Sequence, residues 1–195
     1  MLTALSALAH AVILAALSLW FGALDAQTML LIAIVGVWTG AEASVQAAPD
    51  TSSDRPSTVL GWALLATMVA AVTERGEGLW VGAVLLGLGV ALRVVAVHTL
   101  GSSFITGPAH HGTPVQHGLY RWLRHPSEVG NLLIAAGVVW LSGSLIAAAI
   151  ALFAVLPLVL WRVHREDRWW LTLGSADHRD YVRRVPAFIP GRRLP

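Results

Sequence analysis

The sequence predicts an all-α fold, a polytopic integral membrane bundle of five to six transmembrane helices. Hydrophobic residues make up 56% of the 195 residues and charged residues only 12%, and the mean hydropathy is +0.67, far above that of an average soluble domain. Apolar stretches of roughly 20 residues, the length that crosses a bilayer, recur along the chain. Cysteine is absent, which excludes disulfides and thiolate metal ligands. All 13 basic residues are arginine, whose fixed charge and planar fork suit phosphate and carboxylate groups.

The N-terminal part, residues 1–77, is predicted to contain three transmembrane helices. The first, 2–22, has no basic segment before it, and similar stretches follow, so it is interpreted as a retained helix and not a signal peptide. The second and third are expected at 28–47 and 58–73. Between them, 48–57 is a polar, proline-bounded loop.

The C-terminal part, residues 78–195, is predicted to be the functional core of the same membrane domain. A fourth helix is expected at 78–100, followed by a polar insert at 101–126 that holds four of the eight histidines. Two apolar stretches, 129–141 and 144–161, are separated by the sequence Leu-Ser-Gly-Ser. Because this is a turn-forming sequence, a C-terminal helical hairpin is expected.

Arginine placement predicts the orientation of the chain. Arg121 and Arg124 lie in the insert, and eight arginines lie from Arg162 onward, so both regions should face the cytoplasm by the positive-inside rule. Six spans would place both termini there, whereas five would place the N-terminus outside. The protein is therefore expected to be multi-pass, with the bilayer as a partner and its C-terminus and any cofactor pocket on the cytoplasmic side. A nucleic-acid partner is not expected.

Arg93, on the predicted fourth helix, is an ionisable group at or near the membrane boundary. Such a group is costly and usually faces a protein interior or an aqueous cavity. It could snorkel toward the headgroups or neutralise a buried acid such as Glu42. We expect a structural role for it.

A basic corner precedes the predicted hairpin. A short helix over 118–124 would place Arg121 and Arg124 on one face. Pro126 could then begin the next helix, whose N-terminus is a plausible anion site. The alternative is a basic collar that rests on anionic headgroups.

A third charged cluster, 162–171, follows the last apolar stretch. Arg162 and Glu166 have the spacing of an intrahelical ion pair, and the Glu166-Asp167 pair offers carboxylates to a cationic ligand. Trp169 and Trp170 are typical of an interfacial aromatic belt. The insert histidines show no metallohydrolase spacing, so no metal is expected.

Taken together, these clusters resemble the isoprenylcysteine carboxyl methyltransferase family and its prokaryotic membrane relatives. Four segments, in this order, carry the resemblance: LRVVAVHTLGSSF (92–104), GLYRWLRHPS (118–127), RVHRED (162–167) and DYVRRVPAFIP (180–190). They cover roughly the C-terminal half of the chain.

The resemblance implies methyl transfer from S-adenosylmethionine, held between the insert, the hairpin and the C-terminal tail, to a lipophilic acceptor that arrives from the bilayer. By resemblance, Arg162 would address the acceptor and Glu166 would contact the cofactor. The other cofactor-binding residues that the resemblance implies are Tyr120, His125, Pro126 and Ser127, with Gly112, Thr113, Pro114 and Val115 just upstream. Arg124 and Glu128 are expected to contact the cofactor as well. Arginine and a helix N-terminus can bind the cofactor's carboxylate, and acids can receive its cations.

Glu128 departs from the family pattern, which usually has an aromatic residue there. Its carboxylate could bind the cofactor's ammonium, act as a catalytic base on the acceptor, or pair with Arg124 or Arg162. An isoprenylcysteine-like carboxylate is the acceptor that the resemblance implies. Because of Glu128, other lipophilic carboxylates, thiols and amines stay open.

Two other classes of function fit the sequence. One is a membrane reductase that binds a nicotinamide cofactor in the same corner. It would not need the Gly-x-Gly-x-x-Gly unit, which the sequence lacks. The other is a non-enzymatic membrane protein that binds anionic lipid or a partner through its arginines. It leaves the acids among the arginines unexplained.

Overall fold

A computed structural model describes residues 25–43, 55–72, 74, 76–101 and 113–189, together with five helical positions between 12 and 19. Within this part of the chain, six helices have defined bounds and no strand occurs. They are α1 (Ala26–Ala43), α2 (Arg55–Val72), α3 (Leu79–Leu100), α4 (Pro126–Ser142), α5 (Leu145–Thr172) and α6 (Ala176–Arg184). The all-α prediction is confirmed for the described residues.

Two of these helices, α3 with 22 residues and α5 with 28, are long and apolar enough to cross a membrane. The apolar segments of α1 and α2, Ala26–Trp38 and Val59–Val72, are shorter. Large apolar side chains on the outside of the bundle are mostly exposed, among them Trp80, Leu145 and Phe153. Such an exposed apolar surface is typical of a membrane contact. The count of five to six spans stays a prediction.

Helices α3 and α4 pack antiparallel at very short range because glycines line their contact. A Cβ atom on Gly89 would lie 2.8 Å from the carbonyl oxygen of Gly130, and one on Gly137 would lie 2.7 Å from the backbone nitrogen of Leu86. Small residues allow this approach, which is how helices associate where no hydrophobic effect drives them together. The contact fixes where the first turn of α4 lies relative to α3.

The predicted helical hairpin is confirmed between α4 and α5. Gly143 ends α4 with a φ of 66°, in the left-handed region that favours glycine. Ser144 then caps α5, since its hydroxyl oxygen accepts a hydrogen bond from the Ala147 N–H at 3.2 Å. The hydroxyl of Ser144 also donates to Glu74 at 2.9 Å, which ties the turn to the end of α2.

Helix α5 is continuous but contains a π-helical turn, Ala151–Val155. Pro157 follows two residues later, and a proline inside a helix removes a backbone hydrogen bond. The change from π-helix to α-helix therefore lies directly before Pro157. Beyond it the helix continues as far as Thr172, carrying the charged cluster.

Two predictions about local structure are wrong. Helix α2 begins at Arg55, inside the stretch 48–57 that was predicted as loop, because Pro56 suits the first turn of a helix. The predicted short helix over 118–124 is only a 3₁₀ turn, Gly118–Arg121. The predicted helix 2–22 lies largely outside the described residues.

We predict that Gly89→Val destabilises the protein. The added atoms would meet the α4 backbone at Gly130 and Ile134, and overpacking of this kind typically costs about 1–3 kcal/mol. The matched control is Gly87→Val on the same helix, where a Cβ atom meets nothing within 4 Å. Thermal unfolding in detergent should show a lower Tm for the first variant only. Equal Tm values for the two variants would contradict this packing.

Candidate active site

The candidate site lies at the end of the bundle where α4 begins and α5 ends. Pro126 occupies the first turn of α4, as predicted, and is buried with Ser127 half-buried beside it. A proline is favourable there because the first N–H groups of a helix have no intrahelical partner. The chain before Pro126 therefore turns inward and brings Arg124 and His125 against α5.

Arg124 and Asp167 form a two-point ion pair between the insert and α5. The Arg124 Nε atom donates to Asp167 Oδ1 at 3.2 Å, and Nη2 donates to Oδ2 at 2.6 Å. Such a bidentate contact fixes both position and orientation. Arg124 is therefore turned into the protein, and the predicted face shared with Arg121, and the headgroup collar for Arg124, are wrong. Arg121 is exposed, with its guanidinium 4.9 Å from the centre of the Trp122 ring.

Arg124 also holds the C-terminal segment against the corner. Its Nη1 atom donates to the carbonyl oxygens of Val182 and Val185. Its backbone N–H donates to the Pro186 carbonyl at 2.9 Å, and the next N–H, of His125, donates to Ala187 at 3.2 Å. Residues 185–189, which we call the strap, are thereby laid across the start of α4.

His125 is buried between the strap and the acids of α5. Its Nε2 atom lies 3.0 Å from Asp167 Oδ1, and Nδ1 lies 3.9 Å from Glu166 Oε2. Burial acts most strongly and favours the neutral ring, but the hydrogen bond that the ring donates to Asp167 and the charges of Glu166 and Asp167 outweigh it. Together they raise the pKa of His125 above its ordinary value. A protonated ring donates toward both carboxylates.

Glu128 and Arg162 form a second ion pair between α4 and α5. Arg162 Nη2 lies 3.2 Å from Glu128 Oε1, and the Glu128 side chain is only 7% exposed. The other oxygen of Glu128 accepts a hydrogen bond from Asn131 Nδ2 at 3.0 Å. Of the pairings left open for Glu128, the one with Arg162 is therefore confirmed. The Glu128 carboxylate is held from two sides.

Tyr120 contributes a buried hydroxyl to this corner. Its backbone oxygen accepts a hydrogen bond from the Tyr181 hydroxyl at 2.7 Å, which fixes the 3₁₀ turn to α6. Its own hydroxyl has no hydrogen-bond partner among the described residues, although Tyr120 is only 5% exposed. Burial, followed by the negative charge of Glu166, raises the pKa of Tyr120, so that the hydroxyl stays protonated.

An aromatic group closes the outer side of the corner. The Trp170 ring stacks on His125, with ring centres 6.3 Å apart, and also contacts Tyr181 and His178. Phe188 of the strap lies 6.4 Å from the His125 ring. These rings shield the ion pairs from solvent, so Trp170 is part of the protein interior and not of an exposed interfacial belt.

Most of the residues expected at the site do come together. Arg124, His125, Glu128, Arg162 and Glu166 all lie at this corner, with Tyr120 in the turn beside it. Residues 113–115 have no regular secondary structure, and the next residue, Gln116, accepts a hydrogen bond from Arg184 at 3.2 Å. Gly112 and the side chain of Glu42 lie outside the described residues. Arg93 has its guanidinium 5.4 Å from the centre of the Trp38 ring.

The sequence did not predict the observed roles of three residues of the corner. Asp167 was expected, with Glu166, to offer a carboxylate to a cationic ligand, yet it anchors both Arg124 and His125. Asn131 follows Glu128 at i+3 on a predicted helix, a spacing that places the two side chains together. Tyr181 lies in a segment that carries the resemblance, but its contact with Tyr120 could not be predicted, because it joins residues 61 positions apart.

The fold and the corner define a class: an apolar helical protein whose buried acids and bases meet at the end of a membrane-type bundle. Residues 80–171 match the model of the isoprenylcysteine carboxyl methyltransferase family. Over this segment, which is 92 of the 195 residues, the chain is similar to that family, as the resemblance implied.

Individual proteins are also similar to this chain. The chain is 37% identical over 120 residues to protein-S-isoprenylcysteine O-methyltransferase A of Arabidopsis thaliana, covering 56% of this chain and 57% of that protein. It is 30% identical over 113 residues to the Saccharomyces cerevisiae protein-S-isoprenylcysteine O-methyltransferase, covering 56% of this chain and 47% of that protein. The cobalt-zinc-cadmium resistance protein CzcN of Cupriavidus metallidurans is 31% identical to the chain over 134 residues, covering 66% of this chain and 62% of that protein. The chain thus spans between 47% and 62% of these relatives.

We predict that Arg124→Lys releases the strap. Lysine keeps the charge but loses the planar fork that contacts Asp167 and two carbonyls. Hydrogen exchange at residues 182–187 should accelerate by about tenfold or more, since a hydrogen bond to a charged group contributes roughly 1.5–3 kcal/mol. The matched control is Arg121→Lys, at an exposed position three residues earlier. Unchanged exchange in Arg124→Lys would contradict the tethering role.

We also predict a pH-dependent contribution of His125 to stability. Because its pKa is higher in the folded than in the unfolded protein, its contribution is full below the unfolded value and is lost as the pH rises through the folded value. The Tm difference between the native protein and His125→Gln should therefore shrink between about pH 5 and pH 9. A difference that is constant or grows with pH would contradict a charged His125.

Proposed function

We propose that this chain is an integral membrane methyltransferase that uses S-adenosylmethionine and acts on a lipophilic acceptor. The observation that carries the proposal is the corner itself. A partly exposed acid, Glu166, lies beside the buried ring of His125, and its charge acts on the hydroxyl of Tyr120. All three residues lie inside the segment that matches the family. The relation to methyltransferases of yeast and Arabidopsis supports the same reading.

The residues at the corner fit the proposed cofactor chemically. S-adenosylmethionine has two cationic groups and one carboxylate. Glu166 is 29% exposed, against 17% for Asp167 and 7% for Glu128, so it is the acid best able to receive a cation from outside. Tyr120 would add its hydroxyl, and 113–115 would line the same side. When bound, the cofactor would supply a methyl group activated by a positively charged sulfur.

The roles of Arg124 and His125 in this proposal differ from direct cofactor binding. Arg124 directs its guanidinium to Asp167 and to two carbonyls of the tail, and His125 lies between Asp167 and Glu166. Both residues act mainly by positioning Glu166 and closing the corner with the strap. Methyl transfer needs chiefly alignment of two groups in a site that excludes water, which such a frame provides.

The proposed topology follows from the apolar helices and the arginines. Helices α3 and α5 would cross the bilayer, accompanied by the shorter spans to give five or six in total. The corner and the arginine-rich tail would face the cytoplasm. The acceptor would enter from the bilayer, whose apolar phase the exposed side chains of α5 would contact. The region 1–77 would complete the bundle beside the core at 78–195.

We predict that detergent-purified protein binds S-adenosylmethionine and S-adenosylhomocysteine, and that Glu166→Gln weakens the first more than the second. Loss of one charge-assisted contact to a cation should raise the Kd for S-adenosylmethionine by about tenfold or more. Titration calorimetry measures both. The control is Asp180→Asn, an exposed acid of α6 that pairs with Arg184.

If the folded native protein binds neither compound, the methyltransferase proposal is wrong. Binding of a reduced nicotinamide cofactor in the same assay would then support the reductase alternative. Binding of neither class, with retention on anionic vesicles, would support the non-enzymatic one.

A further inference from the structure

Four basic side chains, those of Arg124, His125, Arg162 and Arg93, face groups of the protein itself. Arg124 pairs with Asp167, and His125 lies between Asp167 and Glu166. Arg93 has its guanidinium over the Trp38 ring, and Arg162 pairs with Glu128. An acceptor that carried a carboxylate would need one of these cations. Arg162 is the one expected to address the acceptor, so its pair with Glu128 decides which acceptors the corner suits.

Glu128 is not a loose partner that an incoming anion could displace at little cost. Its side chain is 7% exposed, with Arg162 at 3.2 Å on one oxygen and Asn131 at 3.0 Å on the other. Replacing Glu128 at the guanidinium would leave a buried carboxylate beside a second one. Removing one partner of a buried ion pair is strongly unfavourable, because the remaining charge is uncompensated. The pair therefore discriminates against carboxylate acceptors.

Asn131 supplies an independent observation that points the same way. Its amide nitrogen donates to Glu128, which leaves Oδ1 as an acceptor. That oxygen is buried and has no hydrogen-bond partner among the described residues. A buried oxygen that accepts hydrogen bonds is usually matched by a group that carries an N–H or O–H donor. A carboxylate acceptor has no N–H or O–H donor to offer, whereas an amine has one or two.

We propose that Glu128 and Asn131 select an amine on an apolar skeleton as the methyl acceptor, in place of a carboxylate. This inference rests on the proposed methyltransferase function. The amine enters as the neutral base, having left its extra proton in bulk water, and its N–H groups donate to Glu128 and to Asn131 Oδ1. Arg162 then acts as a positioning residue, holding the Glu128 carboxylate toward the nitrogen.

The group transfer is balanced without a further reactant. The nitrogen lone pair forms the new N–C bond while the bond between the methyl carbon and sulfur breaks, and the electron pair of that bond goes to sulfur. The positive charge moves from sulfur to nitrogen, so the product is an N-methylammonium. Glu128 stabilises that developing charge through a charge-assisted hydrogen bond. With a carboxylate acceptor, by contrast, charge would disappear and Glu128 would have no such role.

The experiment compares two acceptors of equal chain length, dodecylamine and dodecanoate. Protein in lipid nanodiscs is given labelled S-adenosylmethionine, and methylated products are identified by mass spectrometry. We expect the native protein to methylate dodecylamine in preference to dodecanoate. We expect Glu128→Gln, which keeps the shape of the side chain and removes its charge, to lower the rate with the amine by about tenfold to hundredfold. Glu77→Gln, an exposed acid at the other end of the bundle, is the matched control.

A second readout does not depend on turnover. With S-adenosylhomocysteine present, dodecylamine should raise the Tm of the native protein and of Glu77→Gln, and should raise it less in Glu128→Gln. Dodecanoate at the same concentration should produce no such difference between the variants. Because the acceptor preference of the native protein is itself a test, the inference stays falsifiable even if Glu128→Gln folds poorly.

The outcomes separate this inference from the function on which it rests. Equal or faster methylation of dodecanoate by the native protein would overturn the amine assignment and leave methyl transfer standing. An unchanged rate with the amine in a folded Glu128→Gln variant would overturn the role of Glu128. Absence of S-adenosylmethionine binding, measured separately by calorimetry, would overturn the proposed function itself.

Discussion

The ion pair between Arg124 and Asp167 is the contact on which the arrangement of the corner depends. It joins the insert to α5, and the same guanidinium holds the carbonyls of the tail. Asp167 in turn orients His125, which lies next to Glu166. Three separate parts of the chain are therefore positioned by one arginine, whose side chain is only 10% exposed. A planar group with five donors in fixed directions can do this, whereas a lysine ammonium has no planar fork to contact a carboxylate at two points.

The glycine-lined contact between α3 and α4 sets where that corner can form. Because Gly89 and Gly130 bring the two backbones close together, the first turn of α4 has little freedom to shift along α3. Glu128 and Asn131 lie in and just after that turn, so the rigid packing extends to the acid that faces Arg162. Packing of small residues and pairing of charges thus both fix the positions of Glu128 and Asn131 along the bundle.

Features that depend on local sequence were predictable here, and features that depend on distant partners were not. Pro126 at the start of a helix and the turn around Gly143 follow from backbone preferences of single residues. The inward orientation of Arg124 does not, because its partner is 43 positions away and local spacing suggested a face shared with Arg121. Likewise, the motif resemblance located the charged clusters but not their pairing. Only the packed helices show that Glu128 pairs with Arg162 and that Asp167 pairs with Arg124.

The π-helical turn in α5 has a consequence for how this helix can vary. A π turn is equivalent to one inserted residue, and each residue of an α-helix turns the chain by about 100°. The π turn therefore rotates the part of α5 that carries Arg162 by about 100° relative to the part before Phe153, compared with an uninterrupted α-helix. Loss of one residue from Ala151–Val155 would bring the two halves into a single register and rotate the charged cluster away from α4. The length of this five-residue segment, more than its apolar composition, is then the property under constraint.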